Sequence, residues 1–102
     1  MKLIEKLSDM IEEELCDAEK YIKCAMNYKE DRTQLAATFF RISNEEMGHA
    51  NLLHDQVEAL ITEYRKEHGD PPEKMLAVYE YLHNKQIEKA TEIKSMQAIY
   101  RS

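Results

Sequence analysis

An all-α fold follows from three features of this sequence: sparse backbone punctuation, a helix-forming composition, and apolar residues that return every three or four positions. Only two glycines (Gly48, Gly69) and two prolines (Pro71, Pro72) occur in 102 residues, too few for a turn-rich β architecture. Ala, Leu, Met, Glu and Lys abound, and alternating apolar and polar runs are absent, which favours helix over strand. The length suits one domain with a modest core. A partner subunit would bury surface that so short a chain cannot bury alone. The predicted architecture is an antiparallel helical hairpin plus a third helix, with a four-helix core completed by a second copy.

The first helix is predicted from about Leu3 to Lys29, on a stripe of Leu3, Leu7, Met10, Ile11, Ala18, Tyr21, Ala25 and Tyr28. A turn is placed near Glu30 and Asp31, because KEDRTQ (Lys29 to Gln34) contains no apolar residue. Asp31 followed by Gln34 resembles a capping box. One unbroken helix is the alternative, since Tyr28 and Leu35 keep a heptad spacing. The second helix is predicted from about Arg32 to Glu67, on Leu35, Phe39, Ile42, Ala50, Leu53, Val57, Leu60 and Tyr64. Gly69 suits the residue after a helix end. Asp70 then offers an N-cap and Pro71 a first helical turn. The third helix is predicted from about Pro71 to Tyr100, on Met75, Tyr79, Leu82, Ala90, Ile93, Met96 and Tyr100.

Charge and composition exclude several functions. Net charge is −6, with 20 acidic against 14 basic residues and no basic stripe, so a nucleic-acid partner is not expected. No apolar run reaches the ~20 residues of a membrane span, so no membrane partner is expected. The segment MKLIEKLSDMIEEEL is acidic throughout and does not resemble a signal peptide; the expected location is the cytoplasm. Cys16 and Cys24 lie about 12 Å apart along one helix and cannot pair with each other. They are expected to be free thiols.

The stretch FFRISNEEMGHANLLHDQ, Phe39 to Gln56, raises the chemical question. On a helical wheel, Glu46 falls among Ile42, Ala50 and Leu53, with His49 on the flank of that face. Glu14 falls among Met10, Ile11, Ala18 and Tyr21. An ionised carboxylate in a dry core costs several kcal/mol unless paired, and neither stripe contains Arg or Lys. A chain that reverses near residue 30 places Glu14 and Glu46 sixteen residues from the turn on either side, hence level with each other. One Glu facing a Glu-x-x-His is half of a di-metal carboxylate site. Two halves supply four carboxylates, matching the charge of two divalent ions. Such oxygen-rich donors suit iron or manganese better than structural zinc.

With these residues in view, the sequence resembles the ferritin-like family, which includes bacterioferritins, rubrerythrins and short encapsulated ferritins. ELCDAEKYIKCA, Glu14 to Ala25, is similar to that family's first metal helix, where a ligand Glu precedes a Tyr by seven residues. EEMGHANLL, Glu45 to Leu53, is similar to its E-x-x-H-A-x-x-L segment. The match covers roughly residues 10 to 60. The resemblance implies Glu14, Glu46 and His49 as metal ligands and catalytic residues, with Glu46 bridging. It implies two Fe ions (or Mn) shared across a homodimer or higher homo-oligomer, and ferroxidase-type oxidation of Fe(II) by dioxygen or peroxide. The size resembles the two-helix half-ferritins, in which the site forms between subunits. There is no rubredoxin-type C-x-x-C pair. The stretch SMQAIYRS does not resemble the apolar, Gly-containing tail that docks cargo in encapsulin shells, so no encapsulin partner is expected. The alternative function is a non-enzymatic helical dimerisation or scaffold module.

Other residues are weaker candidates. YEYLH, Tyr79 to His83, is a second Glu-x-x-His. His83 flanks the stripe while Glu80 lies off it, so both are secondary ligand candidates, with surface-flank positions the commoner outcome. His54, at the stripe edge, is a third. Tyr21 is expected to pack in the core with its hydroxyl reaching a carboxylate. His68 suits the helix C-terminus. Asp9, Glu12, Glu13 and Asp17 are expected to form a solvated face.

Overall fold

The chain reverses direction twice, and both turns have local causes. The computed structural model describes residues 1–102. It comprises helices α1 (Lys2–Tyr28), α2 (Thr33–His68) and α3 (Glu73–Arg101), with no strand. The α1–α2 break falls in the apolar-free stretch, so the single-rod alternative is not adopted. The expected Asp31 capping box does not form. Arg32 is the N-cap of α2 without a side-chain bond, and its carbonyl accepts the Ala36 N–H at 2.9 Å. At the second turn Gly69 takes φ 77°, where a side chain would be strained, and its N–H reaches the Arg65 carbonyl at 3.0 Å.

Helix α3 begins two residues later than the sequence implies. Its N-cap is Pro72, whose carbonyl accepts the N–H groups of Met75 and Leu76, both at 3.0 Å. Pro71 cannot open the helix because the residue before a proline is driven out of the helical region. Asp70 is therefore not a cap; its carboxylate lies 3.7 Å from Arg65.

The broad apolar face expected on the hairpin resolves into two heptad seams offset by one residue. The inner seam follows Ile4, Ser8, Ile11, Leu15, Ala18, Ile22 and Ala25 on α1. On α2 it follows Ala36, Phe40, Ser43, Met47, Ala50, His54, Val57 and Ile61. Its central members are buried, with Ala18, Ile22, Ala25, Ala36 and Ile93 of α3 wholly inaccessible. The outer seam follows Leu3, Leu7, Met10, Glu14, Asp17, Tyr21 and Tyr28, then Leu35, Phe39, Ile42, Glu46, His49, Leu53 and Leu60. These side chains are half-buried or exposed, and Leu3 keeps 50% and Leu35 40% of its surface in water. Glu14 and Glu46 are thus centred on the outer seam, not within the deep core.

Helix α3 covers only the inner seam, lies mainly along α1, and runs parallel to it. Neutral polar groups fix that register. Gln86 Nε2 donates to Ser8 Oγ at 2.9 Å, and Gln97 Nε2 donates to Ser43 Oγ at 3.1 Å. Ser43 Oγ in turn donates to the Ala18 carbonyl at 2.7 Å. At the edge, Lys89 Nζ meets Glu19 Oε2 at 2.7 Å, holding the Glu19 carboxyl below its usual range. Beside the first turn, Lys29 Nζ donates to the carbonyls of Tyr100 (2.6 Å) and Ser102 (3.1 Å), placing a cation at the C-terminal end of α3 where the helix dipole favours one. The molecule measures 56 × 19 × 17 Å. No helix is long and apolar enough to cross a membrane.

Candidate metal centre

Halfway along the hairpin the outer seam stops being apolar. Antiparallel pairing brings Glu14 of α1 level with Glu46 and His49 of α2, the latter two one turn apart on one face. One donor atom from each of the three lies within 4.8 Å of the others. His49 Nδ1 is 3.4 Å from Glu14 Oε2 and 3.8 Å from Glu46 Oε2. The two glutamates are mostly covered, with side chains 26% and 20% exposed, while His49 at 53% forms the open lip.

The electrostatics are those of a site short of positive charge. Neither carboxylate pairs with a lysine or arginine; His49 is their one basic neighbour. Glu14 Oε2 is buried without a hydrogen-bond partner among the protein's own groups. The Glu46 carboxyl is pushed up to about 7. Its proton-mediated hydrogen bond with Glu14 is the largest cause, followed by burial and the Glu14 charge; Asp17 adds a little and His49 opposes. Two carboxylates this close resist joint ionisation unless a cation joins them.

The donor set fits a divalent cation. Two carboxylates and one imidazole, on rigid helices around a seam open on one side, provide part of a coordination shell and leave positions free. Oxygen-dominated donors with a minority of nitrogen suit iron or manganese.

The structure brings together Glu14, Glu46 and His49 and leaves the secondary candidates elsewhere. His54 lies on the inner seam, stacked on His83 of α3 with ring centroids 4.8 Å apart. Glu80 is exposed. None of the three joins the cluster, because α3 covers the opposite seam. Tyr21 stacks on Phe39 at 6.0 Å; its hydroxyl makes no hydrogen bond to a carboxylate, lying two helical turns from Glu14. His68 is exposed and packs on Tyr64 at 5.0 Å. Cys16 and Cys24 are free thiols. Asp17 was the residue that sequence reasoning left on the solvated face: it is exposed, yet it adds to the negative field on Glu46. Its position in the 3, 7, 10, 14, 17, 21 heptad was the available signal. No protein-family model, curated protein or solved structure matches the chain.

Proposed function

We propose that two copies of this chain join through their outer seams, and that the joined carboxylate clusters hold two divalent ions, Fe²⁺ by preference and Mn²⁺ as the alternative. The observation that carries this is the cluster itself: two glutamates and a histidine converge on the uncovered seam, with one buried carboxylate oxygen unpartnered. A second copy would double the set to four carboxylates, whose four negative charges match two M²⁺ ions. It would also bury Leu3, Met10, Tyr28 and Leu35, large apolar side chains now left in water.

The activity this supports is ferroxidase-type oxidation, in keeping with the ferritin-like resemblance of Glu14 to Ala25 and Glu45 to Leu53. When bound, each Fe²⁺ supplies one electron, and the pair reduces dioxygen to peroxide, or peroxide to water with protons drawn from solvent. Glu14, Glu46 and His49 would hold the ions, with Glu46 the bridging ligand that the resemblance implies. The apolar residues above and below the cluster would exclude water once the seam is closed. Charge balance makes binding and deprotonation one event, because any proton on Glu46 must leave as the cation enters.

The test is anaerobic titration with Fe²⁺ and, separately, Mn²⁺, followed by sedimentation and then exposure to oxygen. The expected result is two ions per dimer, a metal-dependent shift from monomer to dimer, and oxidation of bound Fe²⁺ faster than in buffer. Glu46→Ala should abolish all three. An unmutated chain that takes up neither ion overturns the proposal.

One observation favours a second reading. A proton on Glu46 relieves the repulsion between the two carboxylates, so a helical scaffold that dimerises without metal is chemically consistent. In that case dimerisation is independent of metal and strengthens below pH 7, where the pair keeps its proton.

A further inference from the structure

Helix α3 is the least firmly held part of the molecule. It lies mainly on α1 and scarcely touches α2, the helix it follows in sequence. Ile93 and Gln97 are its only buried residues, against six on α1 and five on α2, so undocking α3 exposes far less than opening the hairpin. Its register is set by polar pairs spread along its length: Gln86 with Ser8, Lys89 with Glu19, and Gln97 with Ser43. None of these partners depends on the chain connection, so the hairpin of a second copy offers all of them. The connection itself is short, with α2 ending at His68 and α3 starting at Glu73. Pro72 is extended, at φ −54° and ψ 144°, and Pro71 is confined by the proline after it. Gly69, at φ 77°, is the one residue of the chain in a left-handed conformation. The reversal that sends α3 back along its own hairpin therefore turns on a single glycine. Beside that reversal lies an apolar cavity of about 310 Å³, lined by Ile4, Ile61, Pro71, Leu76, Val78 and Tyr79 among others. Val78 keeps 59% of its surface in water.

We propose that two copies of the chain exchange α3, each docking this helix on the α1 of the other, with the chains crossing at Gly69 to Pro72. Exchange of an identical element between copies keeps every native contact except those of the hinge. Here the hinge change is the release of Gly69 from its left-handed turn, while the two prolines keep the extended course that a crossing chain needs. A connection of four residues spans at most about 14 Å, so the crossing must bring the hinge ends of the two copies against each other. The apolar end that meets water in the closed chain then meets its own counterpart, and the cavity beside Pro71 is covered by the second copy. The opposing cost is the freedom lost on association, which makes exchange depend on protein concentration. The exchanged helix lies on the inner seam. The outer seam and its carboxylate cluster take no part, so this proposal does not rest on the metal reading.

The Lys89–Glu19 pair, 2.7 Å between Nζ and Oε2, supplies the test in the unaltered chain. Equal amounts of protein grown in light and in heavy nitrogen are mixed, incubated over a range of concentrations, and joined with a carbodiimide, which couples an amine to a carboxylate only where they touch. Mass spectrometry then reads the Glu19–Lys89 cross-linked peptide. A closed chain gives peptides that are wholly light or wholly heavy. An α3 seated on another copy gives mixed peptides. Association through the outer seam leaves Glu19 and Lys89 of one chain together and gives none. The expected result is a mixed fraction that rises with protein concentration toward the one-half set by random pairing. Gly69→Ala, strained in the left-handed turn, should raise that fraction about threefold where it is small. Two glycines inserted between Asp70 and Pro71 should lower it by about the same factor, since a longer hinge relaxes the closed form. Unmixed peptides alone at every concentration, or no Glu19–Lys89 product at all, overturn the proposal. A mixed fraction indifferent to both hinge changes overturns the hinge at Gly69 to Pro72.

Discussion

The two seams of the hairpin are one residue apart in sequence and opposite in chemistry. Along the inner seam the two serines are neutral and satisfied: Ser43 gives to Ala18 and receives from Gln97, and Ser8 receives from Gln86. Along the outer seam the intrusions are Glu14, Asp17, Glu46 and His49, with no lysine or arginine paired to the two glutamates and Glu14 Oε2 left without a partner. The contrast teaches that burial alone does not mark a functional position. Ser43 is more deeply buried than either glutamate, yet its bonds account for it completely. What distinguishes Glu14 and Glu46 is partial burial with an unanswered charge.

Mutation at matched heights should sharpen this difference. The largest effect belongs to the inner seam: Ile22→Ala, at a wholly buried position, should cost about 3 kcal/mol in urea unfolding. Ser43→Val should cost about 2 kcal/mol, because it leaves the Gln97 amide and the Ala18 carbonyl without their shared partner. On the outer seam the signs change. Glu46 titrates near 7 in the folded chain, against 4.5 for an ordinary glutamate. Its raised value stabilises the metal-free fold fully below about pH 4.5, and that contribution is lost as pH rises through 7. Unfolding of metal-free protein should therefore show a decline on the order of 1–2 kcal/mol from this group between pH 5 and 8, while metal affinity rises over the same range. Glu46→Gln should remove that decline and stabilise the metal-free chain at pH 8 by about 1 kcal/mol. The smallest effect is Leu35→Ser, under about 0.5 kcal/mol in the monomer because the side chain already meets water. The same substitution should clearly weaken the proposed association of two copies. Equal stability losses at Ile22 and Leu35 would erase the distinction between the seams.

Much of this was legible in the residues. The apolar gap at Lys29 to Gln34 locates the first turn and Gly69 the second, because local backbone chemistry decides both. The convergence of Glu14, Glu46 and His49 follows from helical pitch and a hairpin reversing at residue 30. The separation into two seams was not legible, because on a wheel positions one apart blur into a single wide face when both are apolar. Only the placement of α3 decides which set is covered. The same ignorance could not show that His54 and His83 stack on each other away from the carboxylates. Their stacking depends on α3 running parallel to α1, and nothing in the local pattern of Tyr79 to His83 encodes that direction. The Asp70 N-cap failed for a purely local reason: Pro72 constrains Pro71, and consecutive prolines delay the helix.

The parallel course of α1 and α3 also bears on the order in which the molecule assembles. Pairing of α1 with α2 closes through a four-residue turn, whereas the side-chain bonds between α1 and α3, such as Ser8 with Gln86 or Glu19 with Lys89, span 70 positions of chain or more. Contacts so distant form late, so the hairpin should condense first and carry both of its greasy edges bare until the last helix docks. During that interval a neighbouring hairpin can occupy the edge meant for α3. Refolding at rising protein concentration should accordingly slow and lose yield, and adding a synthetic peptide of residues 73–101 in excess should compete for that bare edge and suppress the loss.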